Sequence, residues 1–132
     1  MKHFLFGVAL VWLAAVPLAC NSFGPDQSVI LGVSQLDAPA SVAANAPIPV
    51  VLTVVTGGCL RFDRIEARRE ASSATLTAWG TDGSIGRKDI MCPADIRPEP
   101  HSYQFDPPFT NPFRITVDRG RVSPLVATVQ VR

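Results

Sequence analysis

The 132-residue chain carries 12 lysines and arginines against 11 aspartates and glutamates, a formal net charge of +1. That balance argues against nucleic acid, which would require a clustered basic surface, so no nucleic-acid partner is expected. The length accommodates one domain with a modest core and is too short for two.

The chain opens Met1-Lys2-His3 and then runs apolar from Phe4 to Ala19. A short cationic start, an apolar stretch and a small residue before a cleavage point make residues 1–19 a signal peptide, expected to be helical. A membrane span needs about 20 apolar residues, and Asn21-Ser22 with Gly24-Pro25 ends the run too early for one. Lys2 leaves with the leader, so the remaining basic and acidic side chains balance and the mature domain is neutral.

Leu18-Ala19-Cys20 resembles the end of a bacterial lipobox, in which a small residue precedes a cysteine that is lipidated and becomes the new N-terminus. Pro17 stands where the aliphatic residue three before the cysteine is usual, with Leu18 one place later. The resemblance implies a small bacterial envelope lipoprotein with covalent lipid on Cys20 and no other cofactor. Ordinary signal-peptidase cleavage fits less well, because neither Pro17 nor Val16 forms a small-residue pair with Ala19. In lipoproteins of double-membrane bacteria an aspartate after the cysteine favours inner-membrane retention. Asn21 therefore implies the outer membrane where the organism has one, and the cell surface otherwise. Two or more acyl chains anchor a protein stably, whereas one binds reversibly. The cysteine count supports the same reading: three cysteines in an exported chain leave one to explain. With lipid on Cys20, Cys59 and Cys92 remain to form the disulfide that an oxidising compartment favours.

Residues 20–27 are polar, with Gly24 and Pro25, and read as the lipidated N-terminus and a short tether. The domain then occupies residues 28–132. Residues 28–36 read as a first strand, punctuated afterwards by Pro39, Asn45, Pro47 and Pro49. The β-branched run from Val50 to Val55 predicts a strand buried on both sides or central in a sandwich, ended by Gly57-Gly58. Between residues 60 and 70 the spacing of Phe62 and Ile65 fits a bulged strand first and a short helix second. Residues 75–79 predict a strand, Thr81-Asp82-Gly83-Ser84 a turn, and residues 87–92 a further short strand. Six prolines between residues 93 and 112 forbid a helix or a central strand, except in the window from His101 to Phe105. Residues 113–118 alternate apolar and polar. After the turn at Asp118-Arg119-Gly120-Arg121, Leu125, Ala127, Val129 and Val131 share a face, so the C-terminal segments predict a hairpin with one wet face.

About seven short strands without a long amphipathic helix predict an all-β antiparallel sandwich. A strand, then Ala38-Pro39-Ala40-Ser41-Val42-Ala43-Ala44, then a β-branched run resembles the first hairpin region of bacterial immunoglobulin-like domains. This implies an immunoglobulin-like β-sandwich and transfers no functional residues. Cys59 and Cys92 lie closer together than the cysteine pair of antibody domains, although Trp79 falls between them.

The domain has a single histidine, His101, and no Gly-x-Ser-x-Gly elbow. A nucleophile at Ser72 or Ser73 served by His101 is the enzymatic alternative, set against the commoner reading of a surface histidine and a polar turn. Cys59 and Cys92 lack a C-x-x-C arrangement and the chain offers too few soft ligands for zinc. Asp82 and Asp89 could hold calcium, but the turn already explains Asp82. Asp95 and Glu99 form a carboxylate pair with nothing to mark them as a glycosidase dyad. Two surfaces stand out for contact with an envelope protein or glycan. One is Arg61, Arg64, Arg68 and Arg69, interleaved with Asp63, Glu66 and Glu70, which equally fits a solvated strand face. The other is Phe109, an aromatic anchor in a proline-rich loop, while Phe105 and Phe113 are assigned to the core. The sequence thus predicts a lipid-anchored, non-enzymatic envelope protein with a structural, assembly or binding role. An envelope hydrolase or a protease-inhibitor-like domain is the alternative.

Overall fold

A computed structural model describes residues 27–132; the expected signal peptide and Cys20 lie outside the described residues. The described residues fold into nine strands: β1 (Ser28–Ile30), β2 (Gly32–Asp37), β3 (Ser41–Val42), β4 (Ile48–Thr56), β5 (Leu60–Arg69), β6 (Ser73–Asp82), β7 (Arg97–Phe105), β8 (Phe113–Arg119) and β9 (Val122–Val131). They form two sheets, one of order β1-β6-β8-β9-β3 with β5 on the other edge of β6, the other of order β2-β4-β7. The result is an all-β sandwich.

The core sits between the sheets. From the smaller sheet, β4 turns Ile48, Val50, Leu52 and Val54 inward, while β6, β8 and β9 contribute Leu76, Phe113, Ile115, Val117 and Val129 from the larger one. Each such side chain contributes about 1.5–3 kcal/mol on burial, which makes this layer the main driving force. Phe105 and Phe113 are both core residues, meeting edge to face at 5.7 Å between centroids. β4 is central in its sheet, but Val51, Thr53 and Val55 are only half-buried, so the run is sealed on one face and not on both. Its β-branched composition reflects fit to a pleated surface as much as burial.

The expected first strand divides between the sheets. β1 pairs with β6 and β2 with β4, and the connecting Leu31 is buried, its N–H donating to the Ala78 carbonyl at 2.8 Å. Gly80 makes room for this crossing, since a Cβ there would lie 2.6 Å from Leu31 Cδ1 and 2.2 Å from the Arg61 carbonyl oxygen. Two pairings depart from the antiparallel expectation: β6 runs parallel to β8, and β3 to β9. The first follows from the route of the chain, which leaves β6, enters the opposite sheet as β7 and returns as β8.

Residues 60–69 are a strand whose register against β6 shifts between Phe62 and Arg64, so the bulge is present and the helix is not. The predicted strand at 87–92 is absent; residues 83–96 form an irregular loop outside both sheets. Its ends are pinned near Cys59, by the Gly83 N–H on the Cys59 carbonyl at 3.0 Å and by the Cys59–Cys92 disulfide. β7 begins before the expected window, taking in Pro98 and Pro100. It can do so because it is an edge strand, paired only with β4, where a missing N–H on the outer side breaks no ladder bond. The C-terminal hairpin β8–β9 forms as predicted, turning at Gly120 with φ of 67°.

Candidate functional site

A groove of about 470 Å³ lies where the open edges of β5 and β7 approach each other beside the disulfide. Thr56 and the Gly57-Gly58 turn form one end, Arg61 and Phe62 one wall, Arg97 and Glu99 the other, and Asp95 the rim. Local sequence dictates this shape. Gly57 and Gly58 both have positive φ, and Gly58 with Cys59 occupies the centre of a tight β4–β5 connection in which only the first residue needs that conformation. A Cβ on Gly57 would fall 2.3 Å from the Asp95 carbonyl oxygen, so glycine lets the 93–96 segment close the groove against the turn.

Several of the polar groups here pair with one another. Thr56, 5% exposed, donates its hydroxyl to Glu99 Oε1 at 2.8 Å. Glu99 Oε2 lies 3.4 Å from His101 Nε2, which is enclosed and without a well-aligned hydrogen bond. The imidazole stacks on Phe62 at 3.6 Å between centroids. Asp95 accepts from the Gly58 N–H at 2.8 Å and pairs with Arg97 Nε at 2.6 Å. The Gly58 bond, helped by Arg97 and opposed by burial, holds the Asp95 carboxyl below the ordinary aspartate value. Arg61 lines the groove without an ion pair among the described residues.

No protein-family model matches this chain, and no curated protein or solved structure matches it either.

The residues expected to make contacts are not gathered in one place. Arg61, Arg64 and Arg68 share the outer face of the larger sheet, but only Arg61 reaches the groove. Arg64 pairs with Asp63 at 2.7 Å and Glu66 at 3.6 Å and lies over the Trp79 ring. Arg68 borders a small hollow with Glu66, Thr75, Thr77 and Asp118. Phe109 is half-buried, edge-on to Phe113 at 5.0 Å, and the Arg69 guanidinium lies over its ring at 4.8 Å. Arg69 is itself held by the Asp106 and Pro108 carbonyls, so Phe109 is a packed rim residue.

The enzymatic constellation is not assembled. Ser73 opens β6, seven residues from Gly80, the partner of Phe62; this places it on the order of 20 Å from the His101 stack. Its hydroxyl is directed at Glu70 at 3.5 Å. Within the groove the carboxylate of Glu99 lies between the Thr56 hydroxyl and the imidazole. A hydroxyl nucleophile needs the imidazole in that middle position. Asp82 accepts from the Ser84 N–H and hydroxyl at 2.9 and 2.5 Å, which hold its carboxyl below the ordinary value and use it as a turn cap. Among the described residues no three His, Cys, Asp or Glu side chains gather to hold a metal ion.

Asp95 and Glu99, considered in the sequence only as a carboxylate pair, do meet in one groove. Thr56, Phe62 and Arg97 were not singled out. The one signal that could have found them is the Gly57-Gly58-Cys59 turn, which, once Cys59 is joined to Cys92, brings residues 93–99 beside 56–62.

Proposed function

We propose that this chain is a lipid-anchored, extracytoplasmic binding protein, non-enzymatic, with an immunoglobulin-like sandwich that holds a segment of another envelope protein in the β5/β7 groove. The observation that carries the reading is the groove itself, with Arg61 unpaired on one wall and Glu99 and Asp95 opposite. Such a surface suits an extended segment bearing both a carboxylate and a cation, with arginine supplying a planar two-pronged contact. Docking there uses side chains. Pro98 and Pro100 remove the N–H groups that an added strand would need along β7, and the bulge at Asp63 breaks the ladder on β5.

The anchor rests on the lipobox resemblance and the cysteine count, with an outer-membrane address following from Asn21. The immunoglobulin-like assignment is supported by the two-sheet sandwich and by a first strand shared between its sheets. The disulfide departs from that pattern, since it joins the β4–β5 turn to a loop and lies outside the core.

Cross-linking in intact envelopes followed by mass spectrometry tests the binding role. The reading predicts a reproducible protein partner whose recovery falls about tenfold or more in Arg61→Ala/Arg97→Ala, the loss expected for two charged contacts. Unchanged recovery would remove the groove from the account, and turnover abolished by His101→Ala would replace the binder with an enzyme.

A further inference from the structure

Among the described residues seven large apolar side chains are exposed, and four of them, Ile85, Ile90, Met91 and Ile96, fall in the loop 83–96. Met91 is 95% exposed, more than any other of the seven. Residues 84–91 form a closed excursion, because Gly83 is bonded to the Cys59 carbonyl and Cys92 to the Cys59 sulfur. Ile85, Ile90 and Met91 are therefore displayed together at one end of the sandwich, on a base that the disulfide fixes. Arg87 and Lys88 lie between them, and neither has an ion-pair partner among the described residues; Asp89 is the only acid in the excursion.

The chain enters the domain at this same end. The Gln27 carbonyl accepts from the Asp82 N–H at 3.4 Å, immediately before the loop. Cys20 precedes Gln27 by seven residues, a fully extended span of at most about 25 Å. A lipid on Cys20 would thus hold the loop close to the bilayer it enters. Bulky apolar side chains beside long cationic ones are what an interface between headgroups and acyl chains accepts, the cations reaching outward to the phosphates.

We propose that the loop 83–96 is a second membrane contact, laying Ile85, Ile90 and Met91 into an anionic lipid surface with Arg87 and Lys88 at its headgroups. The contact rests on the lipid-anchor reading of Cys20 and deepens it. Lipid and loop together would fix how the domain stands on the membrane, and hence which way its groove faces.

The test uses the full chain, expressed and purified from membranes, in vesicles containing photoactivatable phosphatidylglycerol, with photoactivatable phosphatidylcholine as the neutral comparison. Lipid adducts are mapped by mass spectrometry. Adducts on residues 84–91 should exceed those on the β8–β9 turn about tenfold with phosphatidylglycerol and be fewer with phosphatidylcholine. They should fall about tenfold in Ile85→Ser/Met91→Ser, which withdraws two apolar side chains from lipid. Arg87→Glu/Lys88→Glu, which leaves the apolar surface intact, should lower the phosphatidylglycerol signal to the phosphatidylcholine level. Adducts spread evenly over the domain, or unaffected by both double variants, would overturn the proposal, as would loop cross-links to a second copy or to another protein in place of lipid. Metabolic fatty-acid labelling, compared with Cys20→Ser, reads the anchor separately. Label without loop adducts removes the loop contact alone, and loop adducts without label keep the contact and remove the anchor.

Discussion

His101 lies face to face on Phe62, their ring centroids 3.6 Å apart and their planes 21° from parallel. This stack joins β7 to β5, the two open edges of opposite sheets, and its Phe62 ring lines the groove. Phe62→Ala removes a half-buried ring and should cost about 2 kcal/mol in urea unfolding, below the range for fully buried phenylalanines. A cost near zero would mean that the seam between the sheets does not depend on the stack.

The disulfide closes a separation of 33 residues. In the chain-entropy model such a loop is worth about 3.5–4 kcal/mol, a large share of the stability of a domain this size. Reduction, or Cys59→Ala/Cys92→Ala, should lower the unfolding free energy by roughly that amount and loosen the 83–96 loop first. Urea titrations with and without reductant check the magnitude. Thiol counting on the unreduced, unfolded protein should find Cys59 and Cys92 unreactive.

Two glycines should respond differently to the same change. At Gly80 a methyl group would meet the Arg61 carbonyl and Leu31, so Gly80→Ala should cost about 2–3 kcal/mol through overpacking. At Gly120 no atom lies within 4 Å and only φ of 67° resists, so Gly120→Ala should cost about 1 kcal/mol. Comparison of the two melting transitions checks the order.

Asp95 gives the groove a pH dependence with a defined sign. Its folded carboxyl titrates below the ordinary 3.8, because the Gly58 N–H, and then Arg97, favour the charged form. The stability this contributes is fully present above the unfolded value and is lost as pH falls below about 4 through the folded one. Asp95→Asn should therefore lower stability in urea titrations near neutrality, and its difference from the native chain should shrink as pH falls below about 4.

Much of the fold was legible because a strand leaves a two-residue period. The C-terminal hairpin, the bulge near Asp63, the core roles of Phe105 and Phe113 and the end of β4 at Gly57-Gly58 all follow from alternation and turn chemistry. The division of the first strand was hidden, since Leu31 continues an apolar run while the backbone changes sheets. The parallel pairing of β6 with β8 was hidden too, because it depends on β7 crossing to the other sheet and on no residue of β6 itself. The groove was the least legible part. Thr56, Phe62, Arg97 and Glu99 come from three strands and carry no shared motif, and they meet only when the sheets close. Phe109 shows the converse: a loop aromatic between prolines reads as exposed until Arg69 and Phe113 are seen to cover it.

The most direct test of the groove as the binding site is photo-cross-linking in living cells. A photoreactive phenylalanine analogue is placed at Pro93, which lines the groove beside the disulfide and leaves Arg61 and Arg97 in place, or at Gln130, exposed on β9. A discrete protein adduct is expected from position 93 and none from position 130. No adduct from 93, or equal adducts from both, would contradict the groove as the binding site.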